Sequence, residues 1–123
     1  MPKSRSFSKY RSEWTLEARR IESARVLLKY SDRVPVICEV ARGSESTLTL
    51  DRHKYLVPCD LTVGQFLNVI RKRISLGAEQ VLFMFTDDDS LQACSELIRV
   101  LYATRKHEDG FLYFSVATEN TFG

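Results

Sequence analysis

Between Thr62 and Ile74 the apolar residues recur at helical spacing. Val63, Phe66, Leu67, Ile70 and Ile74 stand at i, i+3, i+4, i+7 and i+11, which predicts one buried helix face. Thr62 and Gln65 have the spacing of a capping box, which sets the helix start. Arg71, Lys72 and Arg73 fall at the C-terminal end, where positive charge suits the helix dipole. Just upstream, Leu48 to Val57 reads as a strand with a bulge or kink at the hydrophilic Asp51-Arg52-His53. Pro58 lacks a backbone donor and closes that strand.

The rest of the chain is patterned around this unit. Residues 1–12 are polar and basic and predict a short helix or a mobile arm. Residues 13–29 are rich in Glu, Ala, Arg and Leu without Gly or Pro, and predict a helix. That helix has two apolar stripes. One is Trp14, Ala18, Ile21, Ala24 and Leu28; the other is Leu16, Val26, Leu27 and Tyr30. Both cannot face one core, so either one meets a partner or the helix is buried more than usual. After a turn at 30–33, Val34 to Ala41 predicts a strand, with Pro35 marking an edge or a strand start. Residues 42–47 form a polar turn into the Leu48–Val57 return strand.

Beyond the central helix, 76–80 is a connector, and Val81 to Thr86 is an unbroken apolar run that predicts a strand buried on both faces. Asp87 to Ser90 predicts a turn that caps a helix carrying Leu91, Cys94, Leu97, Ile98, Leu101 and Tyr102. A turn at 107–110 precedes a last strand, Phe111 to Val116. The order strand, strand, helix, strand, helix, strand predicts an α+β fold. Its four-stranded mixed sheet carries a crossover helix leading from a hairpin to a middle strand, with N-terminal helices on the other side. The expected organisation is one structural domain: a helical extension at 1–29, a core at 30–116 and a polar, mobile tail at 117–123.

Composition narrows the function classes. At 123 residues, 44% hydrophobic and 28% charged, the chain suits one globular domain. Its net charge of +2 conceals an uneven distribution. Lys3, Arg5, Lys9, Arg11, Arg19, Arg20, Arg25 and Lys29 face only Glu13, Glu17 and Glu22, a balance that suits either an acidic membrane or protein surface or a solvated helix face. Cys38, Cys59 and Cys94 are unevenly spaced, which points to free thiols in a reducing compartment. With no apolar leader and no run of eighteen apolar residues, the expected compartment is the cytosol. There is no phosphate loop, paired-histidine metal motif or nucleophile elbow. His53 and His107 read as surface residues, Asp87-Asp88-Asp89 as a solvated turn, and Cys59 as a structural thiol. No enzyme activity, metal, cofactor or nucleic-acid partner is expected.

Several ordered motifs carry a family resemblance. Tyr30-Ser-Asp-Arg-Val-Pro-Val-Ile37, Lys54-Tyr-Leu-Val-Pro58, Asp60-Leu-Thr-Val-Gly-Gln-Phe66, Val69-Ile-Arg-Lys-Arg-Ile74, Glu108-Asp-Gly-Phe-Leu-Tyr113 and the ending Glu119-Asn-Thr-Phe-Gly123 closely resemble the autophagy-related protein 8 family. Its members include the GABA-receptor-associated protein and the microtubule-associated protein light chains. The resemblance covers nearly all the chain from about Leu16. It implies a ubiquitin-like β-grasp core, and alignment through Leu16-Glu17 and Glu22 favours the Leu16, Val26, Leu27, Tyr30 stripe as the core side. Departures include Ser31 and Cys59, and Leu27 and Leu28 where charge is common.

The resemblance also implies sites. Gly123 would become amide-linked to phosphatidylethanolamine through activating and conjugating enzymes. A cysteine protease would act in processing or delipidation, with Gly123 either the encoded or a processed end. The Leu48–Val57 edge would take a peptide by strand addition. The aromatic residue of an aromatic-x-x-aliphatic motif would enter a pocket of Glu22, Pro35, Ile37, Lys54, Leu56 and Phe111. The aliphatic residue would enter a second pocket of Tyr55, Val57, Pro58, Leu61, Phe66 and Val69. Arg33, Arg73 and Lys54 would pair with acidic flanking residues. Motif-bearing cargo receptors and adaptors would be the partners, and the protein would move from the cytoplasm to the autophagosome membrane. Periodicity leaves open that the same apolar residues are ordinary core. Two other readings also remain: a non-conjugated adaptor that binds peptides or microtubules, and a modifier joined to a protein lysine.

Overall fold

The computed structural model describes residues 8–43, 48–74, 76–77 and 79–118. Its elements are α1 (Lys9–Glu13), α2 (Leu16–Lys29), β1 (Arg33–Val40), β2 (Lys54–Pro58), α3 (Val63–Arg73), β3 (Leu82–Thr86), α4 (Ile98–Arg105) and β4 (Leu112–Thr118). The strands form one sheet in the order β2-β1-β4-β3. β1 pairs antiparallel with β2 and parallel with β4, and β3 pairs antiparallel with β4. The mixed sheet is therefore as expected, but its order is not. The crossover through α3 leads to β3 at the outer edge, and the last strand, β4, takes the central place beside β1. β4 is buried at all seven positions, as a central strand covered on both faces should be. The apolar run of β3 has the same cause: both its faces are largely covered although it is an edge strand, and only Phe83 is half-buried.

The two sheet faces meet different helices. On one, Val34, Val36, Cys38, Tyr55, Val57, Met84, Leu112, Phe114 and Val116 pack against Val63, Phe66 and Ile70 of α3 and Ile98 and Leu101 of α4. The capping box forms: Thr62 Oγ1 accepts from Gln65 N at 3.1 Å, and Gln65 Oε1 accepts from Thr62 N at 2.9 Å. On the other face Ile37, Phe111 and Tyr113 meet Tyr10. There the N-terminal helices are two, broken at Trp14, with Thr15 capping α2 through Ala18 N. The second stripe lies on the inner side of α2 except for Leu27, but it shares that side with Arg19 and Ser23. The buried residues of α2 are Arg19, Ser23 and Val26; Leu16 and Tyr30 are half-buried, while Leu27 is exposed along with Trp14, Ile21, Ala24 and Leu28.

Two further expectations are corrected, and of the two readings of Pro35 the strand start holds. The return strand is only Lys54–Pro58; Leu48 and Leu50 are buried, but 48–53 is irregular. Pro35 lies in a central strand, near its start. Cys38 N donates to His53 O, so alternation turns Pro35 away from β2, and pairing with β4 begins only at Val36. The missing donor therefore costs nothing. The helix predicted from Leu91 begins at Ile98. Residues 91–97 are diverted because the Cys94 and Glu96 carbonyls accept from Gly64 N and Val63 N, capping the first turn of α3. The Asp87–Ser90 turn instead leads into an isolated Phe85–Leu91 bridge, with Asp88 Oδ1 accepting from Thr86 Oγ1 and Ser90 N.

Candidate functional site

β2 is an edge strand, and alternation turns the backbone groups of Lys54 and Leu56 outward from the sheet. The Leu56 carbonyl accepts from Arg33 Nη1 at 3.1 Å, so a side chain partly covers the edge. Beside this edge, a cleft of about 310 Å³ runs between the N-terminal helices and β2, lined by Tyr10, Trp14, Ala18, Ile21, Glu22 and Lys54. Glu22 and Lys54, both assigned to the first pocket by resemblance, form an ion pair across it. Glu22 also accepts from Arg25 Nε at 2.9 Å and Nη2 at 3.1 Å. These hydrogen bonds, from Arg25 first and then Lys54, hold the Glu22 carboxyl down at about 2.

The other residues assigned to that pocket lie deeper. Ile37 and Phe111 have no exposed surface, Pro35 is buried, and Leu56 is half-buried. Tyr10 packs against the cluster of Ile37 and Phe111, its ring edge-on to Phe111 at 5.4 Å and tilted against Trp14 at 6.4 Å. Sequence reasoning missed Tyr10 as a cleft wall. Two aromatics standing in a polar N-terminal segment were the available signal.

Half of the second set is packed shut. Tyr55, Val57 and Phe66 belong to the α3-side core, with the Tyr55 and Phe66 rings edge-on at 5.5 Å. Pro58 and Leu61 are half-buried and Val69 is exposed, so these three reach the surface. The Arg73 guanidinium lies 5.8 Å from the Tyr55 ring centre and 4.0 Å from Asp51 Oδ1. Alternation along β2 thus puts Lys54 and Leu56 of the first set on one side and Tyr55 and Val57 of the second on the other.

The turn between α4 and β4 holds what sequence reasoning did not single out. Asp109 is buried; its Oδ2 accepts from Arg19 Nη1 at 2.6 Å and from the Tyr113 hydroxyl at 2.5 Å. Its Oδ1 accepts from Phe111 N at 2.8 Å, and its carbonyl accepts from Ser23 Oγ at 2.6 Å. This network fastens α2 to the sheet. His107, read as a surface residue, is half-buried because its Nδ1 accepts from Asp109 N at 3.1 Å; His53 is exposed. Cys38 is buried, which pushes its thiol well above the ordinary range, while Cys59 is half-buried and Cys94 exposed. Among the described residues no cluster of three or more His, Cys, Asp or Glu could hold a metal ion. No described helix is long and apolar enough to cross a membrane. Gly123 lies outside the described residues.

Residues 18–123 match the family model described as "Autophagy protein Atg8 ubiquitin like". The chain belongs to the Atg8 family. It is 50% identical over 116 residues to Autophagy-related protein 8 of Colletotrichum lindemuthianum and of Neurospora crassa, covering 94% of this chain and of each relative. The crystal structure of Trypanosoma brucei ATG8 is similar with a TM-score of 0.87 and 45% identity, covering 95% of this chain and 99% of that one. The four-stranded sheet with its helices is therefore the ubiquitin-like Atg8 fold, and the protein is a ubiquitin-like protein of autophagy.

Proposed function

We propose that this Atg8-family protein is a modifier, joined through Gly123 to phosphatidylethanolamine on autophagosomal membranes, and that it recruits partners carrying aromatic-x-x-aliphatic motifs. The observation that carries the peptide-binding half is the open β2 edge, with a cleft beside it on one side and Pro58, Leu61 and Val69 reaching the surface on the other. A peptide adding as a strand would pair with the outward groups of Lys54 and Leu56 and displace Arg33 from the Leu56 carbonyl. Its aromatic side chain would enter beside Tyr10, Ile21 and the Glu22–Lys54 pair. Its aliphatic side chain would settle near Leu61 and Val69 as Tyr55 and Phe66 yield. Arg33, Arg73 and Lys54 would steer acidic flanks, each worth ~0–1 kcal/mol where exposed.

The conjugation half is supported by family membership and by a match that extends through Gly123. The Gly123 carboxylate would attack ATP to give an adenylate with loss of pyrophosphate. Enzyme thiolates would then accept the acyl group as successive thioesters. The lipid amine would attack the last thioester, forming the amide and expelling the thiolate. Two acyl chains provide a stable anchor, at ~0.8 kcal/mol per buried methylene.

The test is the intact mass and membrane partition of the protein after incubation with the family's activating and conjugating enzymes, ATP and liposomes containing phosphatidylethanolamine. The expected result is a gain of one phospholipid that Gly123→Ala abolishes, with motif-peptide binding unchanged. Absence of any adduct with competent enzymes moves the reading to a peptide-binding adaptor, and an adduct on a protein lysine moves it to a protein modifier.

A further inference from the structure

Two sides of the cleft beside β2 trace back to one carboxylate. Asp109 Oδ1 accepts from Phe111 N at 2.8 Å, and the Phe111 ring meets Tyr10, a lining residue of the cleft, edge-on at 5.4 Å. Asp109 Oδ2 accepts from Arg19 Nη1 at 2.6 Å, and Nε of the same guanidinium donates to the Trp14 carbonyl at 3.1 Å. Trp14 also lines the cleft. It stands at the break between α1 and α2, as the C-cap of one and the residue before the N-cap of the other. Its side chain is 55% exposed, so packing alone holds it weakly, and its backbone tie to Arg19 matters more.

The Tyr10 side is held separately. Tyr10 N donates to Glu39 Oε2 at 3.0 Å and Ser8 Oγ to Glu39 Oε1 at 2.6 Å, which ties the start of α1 to β1. Arg11 Nη1 donates to Asp87 Oδ2 at 2.6 Å. Arg19 therefore acts on the Trp14 side of the cleft. Only a guanidinium suits this place. Its donors point in several fixed directions, so it bonds a carboxylate and a carbonyl at once, whereas a lysine ammonium is a single point of charge.

We propose that Arg19 is a positioning residue for the aromatic side chain of a bound peptide: by tying the Trp14 carbonyl to the Asp109 turn it fixes the width of the cleft, and with it the preference among tryptophan, tyrosine and phenylalanine. The inference rests on the peptide-binding reading of the β2 edge. A wall held in place before binding separates rings that differ by a few atoms, by roughly ten-fold or more in affinity. A wall free to shift adapts to each ring and loses that distinction.

The test is calorimetric titration of the full chain with three synthetic aromatic-x-x-Leu peptides that differ only in carrying Trp, Tyr or Phe, and with a fourth that carries Trp and has Val in place of Leu. Chemical-shift changes on the Lys54–Pro58 amides verify strand addition. Arg19→Lys keeps a cation against Asp109 and gives up the bond to Trp14. Hydrogen exchange along α2 should stay as in the parent, and the discrimination between Leu and Val peptides should be unchanged. The spread among the Trp, Tyr and Phe peptides should fall from about ten-fold to about two-fold. Trp14→Ala removes an exposed side chain without touching the buried pair and should narrow the spread likewise. Because both changes act through one wall, the double variant should lose no more than either alone. An unchanged spread in Arg19→Lys overturns the proposal. So does an equal fall in the Leu against Val discrimination, which marks general loosening, and so do losses that add in the double variant. A parent that binds all three aromatics equally overturns this inference alone; a parent that binds none of the peptides overturns the peptide-binding reading with it.

Discussion

Helices α2 and α3 flank the same sheet and are held by different physics. α3 lays Val63, Phe66 and Ile70 into the larger core, so its attachment is spread over apolar area and is not directional. α2 buries one large apolar side chain, Val26, and relies on Arg19 and Ser23 bonding to a single turn. An area-held helix loosens gradually as atoms are removed, whereas one held by a few buried polar bonds depends on each of them. The cleft beside β2 has α2 as a wall, so its shape rests on the second kind of attachment.

The largest expected effect comes from removing the anchor of α2. Asp109→Ala leaves Arg19 charged and buried and frees the Tyr113 hydroxyl, which should cost about 3–5 kcal/mol in chemical denaturation. Hydrogen exchange should show lost protection along α2 with α3 still protected; equal loss in both helices would mean that the two are not independently attached. Ile70→Ala, a wholly buried residue of α3, should cost about 2–5 kcal/mol and lower protection throughout the core.

Smaller effects sharpen the contrast. Thr62→Ala removes one half of the capping box and should cost about 1 kcal/mol, visible as fraying of the first turn of α3. The smallest effect is on acid stability. The Glu22 carboxyl is lowered from 4.5 to about 2, so its ion pairs contribute fully above the ordinary pKa and are lost as pH falls from about 4.5 through 2. Glu22→Gln should therefore be less stable than the parent by up to ~1 kcal/mol at pH 7 and equal to it near pH 2. A difference that persists at pH 2 would assign the role of Glu22 to packing.

α3 was legible in the chain because its period, cap and terminal charges agree with its tertiary setting. β1 and β3 were legible for the same reason, to within a residue or so. The false helix start at Leu91 arose where a periodic stripe competed with carbonyls needed elsewhere, those of Cys94 and Glu96 over the start of α3. Sheet order was misjudged because the apolar run of β3 reports coverage of its faces and not its position in the sheet. Lys54 at the rim of an apolar groove was legible; the closure of Tyr55, Val57 and Phe66 into the core was not, since alternation alone does not separate a pocket from packed interior. Asp109 was hidden for a plainer reason: a carboxylate in a turn reads as solvated, and only the fold brings Arg19 to it across the chain.

The parallel pairing of β1 and β4 decides which end of the sheet lies nearest the linkage proposed at Gly123. It puts Thr118, opposite Leu82, at the end of the sheet remote from Arg33, and Arg33 N bonds to Tyr30 O just past the C-terminal end of α2. Five residues follow Thr118, and a chain of that length spans at most ~18 Å. The seven residues of β4 add roughly 23 Å of height. Under the linkage proposed at Gly123, a bilayer would therefore lie on the Thr118 side of the sheet, and the end of α2 beside Arg33 would be the part held farthest from it.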